Sequence, residues 1–256
     1  MSSTSKKDTG HADGDGVPVV FLSGMLADQR MWHPAIAAYD ELDDPAKPAK
    51  PALMPVFCEL FDQDTVADMA RAVLETAPDR FALVGMSMGG YAAFEILRQA
   101  PERVSHLMLV NTRATADSEA VRRRRLLLSR IVAGKTPFVA VNDGMLDEML
   151  HPDNRNDTAL VSLLTAMGDT CGAKVFAHQN HAVATRPDSM DVLGNIAVPC
   201  GVVVGTHDRI ISPESHREMA DAIPGATYQE VPGAGHYVPL EKPVEFARSL
   251  AALLAR

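Results

Sequence analysis

The sequence has no surplus of basic residues: 24 Lys and Arg stand against 33 Asp and Glu in 256 residues, a formal net charge of -9. It therefore offers no broad positive field for a phosphate backbone or an anionic lipid surface, and neither nucleic acid nor membrane is an expected partner. Cysteine is scarce as well. Cys58, Cys171 and Cys200 are an odd set without CxxC or Cys/His ligand spacing, which argues against a disulfide framework and a zinc site and fits a reducing cytoplasm. Aromatics make up only 5%, so aliphatic and thioether side chains must fill any apolar pocket. Long apolar runs are missing too: no uninterrupted stretch approaches a bilayer crossing, and "MSSTSKKDTGHADGDG" has no hydrophobic centre of a signal peptide. Residues 1–16 read as a disordered tail.

What is present is apolar content, at 46%, ample for one large core. Short continuous runs rich in Val and Leu recur at Val17 to Ser23, Arg80 to Ser87, Val104 to Asn111 and Cys200 to Asp208. Such runs mark strands buried on both faces of a parallel sheet. Ala226 to Pro232 is more polar and edge-like, and a weak strand is expected near Val56 to Glu59, after an exposed connection from Asp40 to Pro55. Helical spacing appears between the strands, at Asp64 to Ala77, Gly90 to Gln99, Pro213 to Ile223 and Pro243 to Ala255. This alternation predicts an α/β fold with a doubly wound, mostly parallel sheet. Residues 114–195 break the rhythm with helical patterns and no strand, so the expected domains are a core of 17–113 plus 196–256 and a helical cap of 114–195. An insertion there would cover the crevice at the carboxyl ends of the strands, where ligands bind.

The chemistry concentrates in "FALVGMSMGGYAAFEIL", where a strand runs into Gly85-Met86-Ser87-Met88-Gly89 and then a helix. A turn this short needs small residues two before and two after the serine, and Gly85 and Gly89 supply them; this is the G-x-S-x-G nucleophile elbow. A hydroxyl alone is a poor nucleophile, so a histidine must take its proton and a carboxylate must hold that histidine. "VVVGTHDRIISP" places Asp208 just past one strand, and "VPGAGHYVPLEKP" places His236 in a Gly-rich loop past the next.

With these three motifs in the order Ser, Asp, His, the chain from about Val17 onward resembles the α/β-hydrolase fold family, in its serine hydrolase branch. The resemblance implies Ser87 as nucleophile, Asp208 as acid and His236 as base. It also implies an oxyanion hole made by the backbone N–H of Met88 and that of Met25 in "FLSGMLADQRMW". The family usually begins that loop His-Gly where this chain has Ser23-Gly24, a change that leaves a main-chain donor untouched. Only the tail precedes Val17, which implies a sheet shortened at its N-terminal edge.

Other readings compete. Ser87 and Asp208 both fit helix N-caps; His207 adjoins the acid but lies within the acid loop, and His236, flanked by glycine, is the better base. "GMSMGG" lacks the Gly-Lys-Ser/Thr of a phosphate loop. Arg122 to Arg125 offers charge for an anionic substrate, yet four consecutive residues point around a helix, which favours a solvated surface. His178 and His181 have no carboxylate at ligand spacing, so no metal is expected, and no cofactor. Met86, Met145 and Met149 suit an apolar pocket wall.

The expected activity is a carboxylesterase acting on a small-molecule ester through an acyl-enzyme. Lactonase, thioesterase, amidase, C–C bond hydrolase and perhydrolase or acyltransferase chemistry use the same triad. A ligand receptor on a hydrolase scaffold is the rival of another class, distinguished by stoichiometric labelling of the serine without sustained turnover.

Overall fold

A computed structural model describes residues 16–42, 50–132 and 138–256. The tail, apart from Gly16, and most of the Pro- and Lys-rich connection after Asp40 lie outside the described residues. The chain enters at β1 (Gly16–Leu22), turns through a 3-10 helix (Gln29–Trp32) into α1 (His33–Asp40), and returns as β2 (Ala52–Phe57). The core continues with α2 (Val66–Thr76), β3 (Phe81–Met86), α3 (Met88–Gln99) and β4 (Val104–Val110). Four helices follow without an intervening strand among the described residues: α4 (Glu119–Val132), α5 (Asp143–Met149), α6 (Thr158–Thr185) and α7 (Met190–Leu193). The sheet then resumes with β5 (Cys200–Gly205), α8 (Pro213–Asp221) and β6 (Thr227–Val231), and α9 (Val238–Glu241) and α10 (Pro243–Leu254) close the chain.

The six described strands form one parallel sheet in the order β2-β1-β3-β4-β5-β6. β3 and β5 are buried along their whole length, as continuous apolar runs covered on both faces must be. Alternate residues feed two cores. Leu83, Leu107 and Val202 pack with Met69, Phe94 and Met219 on one face, whereas Phe21, Val84 and Val203 pack with Trp32 and Phe246 on the other. The weak strand starts four residues earlier than its apolar residues suggested and includes Pro55, which an edge position tolerates because one side of the strand needs no ladder hydrogen bond.

Sequence spacing misses α1, and it misses the length of α6. At 28 residues, α6 is long and apolar enough to cross a membrane by length and composition. It is bent at Gly172, whose φ of 69° is open chiefly to glycine. Beyond the bend it buries Gln179 and Asn180 with hydrogen-bond partners inside the protein.

Candidate active site

The site lies at the carboxyl edge of the sheet, built from the turns that leave β1, β3, β4, β5 and β6. Ser87 separates β3 from α3 with φ 53° and ψ -114°, a conformation costly for any residue with a Cβ. It occupies the N-cap position of α3, but its hydroxyl makes no cap bond. That hydroxyl lies 3.0 Å from His236 Nε2 instead. The strained backbone is pinned from β4: the Ser87 N–H donates to the Val110 carbonyl at 2.9 Å, and Thr112 Oγ1 donates to the Ser87 carbonyl at 2.8 Å.

The two elbow glycines make different close approaches. A Cβ on Gly85 would lie 2.7 Å from the Gly89 carbonyl oxygen, the crossing expected from the motif, whereas a Cβ on Gly89 would strike the Leu22 carbonyl of β1. Glycine at 85 thus closes the turn, and glycine at 89 lets α3 approach the sheet.

Asp208 is buried and accepts four hydrogen bonds. Its Oδ1 takes the N–H groups of Ile210 and Ile211, each at 2.9 Å; its Oδ2 takes Asn111 Nδ2 at 2.9 Å and His236 Nδ1 at 2.8 Å. Burial opposes ionisation, but the His236 charge and these donors outweigh it and hold the carboxyl below the usual aspartate value. A carboxylate fixed in this way selects the tautomer with the proton on Nδ1 and leaves Nε2 as a base facing the serine hydroxyl.

His236 is held through its neighbours. Its N–H donates to the Met149 carbonyl at 2.6 Å. The N–H groups of Gly235 and Tyr237 donate to Glu241 Oε1 at 2.8 and 3.2 Å, while Oε2 of Glu241 takes the His151 N–H at 2.7 Å and Asn154 Nδ2 at 2.8 Å. One carboxylate thus ties the histidine loop to the segment after α5.

On the other side of Ser87, Met88 is the first residue of α3, so its N–H has no acceptor within the helix. Met25 sits in the loop after β1, where Gly24 comes so near that a Cβ would lie 3.4 Å from Ser87 Cβ. Ser23 Oγ accepts from Trp32 Nε1 at 3.0 Å and donates to the Asp28 carbonyl at 3.3 Å. The serine that departs from His-Gly therefore braces the loop from within. From α6, Gln179 Oε1 accepts the Leu26 N–H at 2.9 Å.

A family model described as "Alpha/beta hydrolase family" matches residues 19–249. The chain belongs to the alpha/beta hydrolase family. The hydrolase is 29% identical to a Mycobacterium tuberculosis protein named as a candidate non-heme bromoperoxidase, with 90% of this chain and 91% of that protein covered. Its structure is similar to a Thermogutta terrifontis esterase with malate bound, at 26% identity and a TM-score of 0.79 over 94% of this chain and 90% of that one. It shares its fold with the Burkholderia xenovorans enol-lactonase, at 22% identity and a TM-score of 0.80 over 96% and 94%.

In this hydrolase Met25, Met145 and Met149 line an apolar cavity of about 40 Å³ with Leu26, Leu164 and Tyr237. Met86, expected at the same wall, is fully buried with Phe21 and Trp32 and lies beneath Gly24. Position 86 faces the core that holds Phe21 and Trp32, where the side chain is enclosed rather than open to a cavity. His207 meets His151 edge to face, with ring centroids 4.6 Å apart, and the ring facing the Ser87 hydroxyl is that of His236. His178 and His181 contact Asp64, by its side chain and its carbonyl, and no metal-binding cluster occurs among the described residues. Sequence reasoning misses Asn111 and Glu241. Asn111 had a signal, a polar residue ending an apolar strand; Glu241 had none, because two of its four donors are backbone N–H groups of the adjoining loop and the other two come from His151 and Asn154, far along the chain.

Proposed function

We propose that this hydrolase cleaves a small carboxylic ester through an acyl-enzyme on Ser87. The observation that carries the reading is the unbroken path from Ser87 Oγ through both ring nitrogens of His236 to a buried, ionised Asp208. His236 Nε2 takes the hydroxyl proton as Ser87 Oγ attacks the carbonyl, and Asp208 stabilises the imidazolium. The N–H groups of Met25 and Met88 bind the oxyanion of the tetrahedral intermediate. Its collapse breaks the ester C–O bond, and the alcohol leaves with the proton from His236. Water then gives a proton to His236 and attacks the acyl carbon, and Ser87 departs reprotonated.

Residues 114–195 act as a cap, with Met145 and Met149 lining the small apolar cavity beside Met25. The likeness to a candidate bromoperoxidase favours one second reading, in which hydrogen peroxide replaces water at the acyl-enzyme and releases a peracid. The decisive experiment is p-nitrophenyl butyrate turnover by Ser87→Ala. Loss of about 10⁴-fold or more is expected, and a variant that turns over like the wild type overturns the proposal. Adding peroxide to the wild type and assaying peracid separates the two acceptors.

A further inference from the structure

Close to this site lies a cluster with more positive charge than it can neutralise. Asp117, between β4 and α4, has only 1% side-chain exposure and carries three arginines. Arg113 Nη2 and Arg186 Nη2 lie 2.5 and 2.9 Å from its Oδ1, and Arg125 Nε lies 2.8 Å from its Oδ2. One carboxylate balances one guanidinium, so the cluster keeps an excess of about two charges. Among the described residues no second carboxylate pairs with these arginines. Asp188, the next acidic residue along from Arg186, spends its carboxylate on the N–H groups of Ala116 and Met190.

The three arginines are not equivalent. Arg186 is a strut: its side chain is 3% exposed, lies over the Tyr91 ring at 4.1 Å, and donates to the carbonyls of Val183 and Thr115. Arg113 and Arg125 are partly open, at 27% and 28%. Arg113 directly follows Thr112, whose hydroxyl holds the Ser87 carbonyl, and its Nε is buried without a partner. Arg125 donates from Nη1 to Asn180 Oδ1 and touches Met25 Sδ at 3.9 Å, the side chain that walls the apolar cavity. The run Arg122 to Arg125 is thus a solvated surface only in part. Arg122 and Arg123 pair with Glu119 on the outside, while Arg125 turns inward.

We propose that Arg113 and Arg125 form an anion subsite, and that the ester attacked by Ser87 carries a carboxylate a few bonds from its reacting carbonyl. The class of substrate is then a half-ester of a short dicarboxylic acid, or its cyclic equivalent, an inference that rests on the ester-hydrolase reading above. Two observations combine. Guanidiniums held in excess of their counter-charge in a partly desolvated place favour a bound anion, and the Arg125 contact with Met25 puts that charge against the oxyanion loop. In a protein of net charge -9, such a positive island beside Met25 also orients an incoming anion. The guanidinium N–H groups not spent on Asp117 and Asn180 supply donors that a carboxylate accepts.

The test compares monomethyl glutarate, which is anionic, with neutral dimethyl glutarate. Calorimetric titration of Ser87→Ala reads binding without turnover. Monomethyl glutarate is expected to bind at least about tenfold more tightly, the scale of one charge-assisted hydrogen bond, and to lose this preference as salt rises. Arg125→Gln and Arg113→Gln, each in the Ser87→Ala background, are expected to reduce the ratio of the two affinities. Taking the ratio within each variant removes any loss of folded protein. Equal affinities in Ser87→Ala, or a ratio unchanged in both arginine variants, overturns the subsite. Wild-type hydrolysis separates the two readings: selective binding of the half-ester with no cleavage of either compound overturns ester hydrolysis and leaves the subsite standing, whereas cleavage of both with equal binding does the reverse.

Discussion

The strand-end turns and the helical insertion above them are held by different kinds of contact. Ser87, Asp208 and His236 stand on backbone that close packing leaves no room to move: Gly85 against Gly89, Gly89 against Leu22, and Gly205 against Ala234 and Gly235. The insertion is attached largely by side chains: Leu146, Leu164 and Val183 pack into the two cores, Gln179 reaches Leu26 and Leu60, and His178 meets Asp64. Tight backbone crossings fix the geometry of a reaction and tolerate almost no substitution. Side-chain tethers tolerate more change, so residues 114–195 can differ in charge and shape where the strand-end turns cannot.

Breaking the strand-end turns has the largest expected consequences. Ser87→Ala, with its loss of about 10⁴-fold, should exceed the effect of any single change in residues 114–195, as kcat/KM across a set of cap variants will reveal. Next come the supports of the acid and the base. Asn111→Ala and Glu241→Gln each remove hydrogen bonds to a buried carboxylate or from one, worth about 1.5–3 kcal/mol. Their kcat should fall roughly tenfold or more while KM changes little, since neither touches substrate. A rise in KM alone would move these residues into the binding surface.

A matched pair of glycines compares the two regions directly. Gly85→Ala must displace the Gly89 carbonyl, 2.7 Å from the new methyl, and should cost about 1–3 kcal/mol by overpacking. Gly194→Ala lies after α7, with helical backbone angles and nothing within 4 Å, and should be neutral or stabilising by up to about 1 kcal/mol. Urea titration of both variants measures the contrast, and equal costs would remove it.

Acid is the mildest probe, because it acts on both regions together. Burial opposes ionisation of Asp117, but Arg186, Arg125 and Arg113 outweigh it and hold the carboxyl below its usual value, as Asp208 is held. A depressed folded pKa gives stability that is present in full above the unfolded value, about 3.9, and is lost as pH falls through the folded values. The carboxylate contribution should therefore stay flat down to about pH 5 and be lost below about pH 4, after an earlier decline in Tm below about pH 6.5 as buried His216, whose pKa burial lowers, resists protonation. Asp117→Asn should be less stable at neutral pH and show a shallower acid limb. An acid limb as steep as the wild type's would assign it to other carboxylates.

Much of the core could be read along the chain because it is periodic. Four buried runs mark β1, β3, β4 and β5, since a strand covered on both faces must be apolar throughout. The elbow is equally legible, as its glycines answer to crossings within a few residues, and the order of its partners selects Asp208 and His236, which the fold brings within 3.0 Å of their neighbours. Less legible were β2, where Pro55 masks a strand, and Met86, whose apolar character does not say which face it takes. Asn111 and Glu241 could not be ranked above other polar residues, because their donors and acceptors lie up to 124 positions away.

A parallel α/β sheet, the Gly-x-Ser-x-Gly turn and the strand ends that carry Asp208 and His236 follow from the chain read along its length, because periodicity and tight turns are local constraints written in adjacent residues. Only the tertiary structure decided that Gly89 faces Leu22, that Glu241 braces the histidine loop, and that Arg125 alone of its run turns inward to join Arg113 and Arg186 on Asp117. Each of these depends on which distant backbone arrives alongside, and a buried charge or a missing Cβ acquires its meaning from that neighbour.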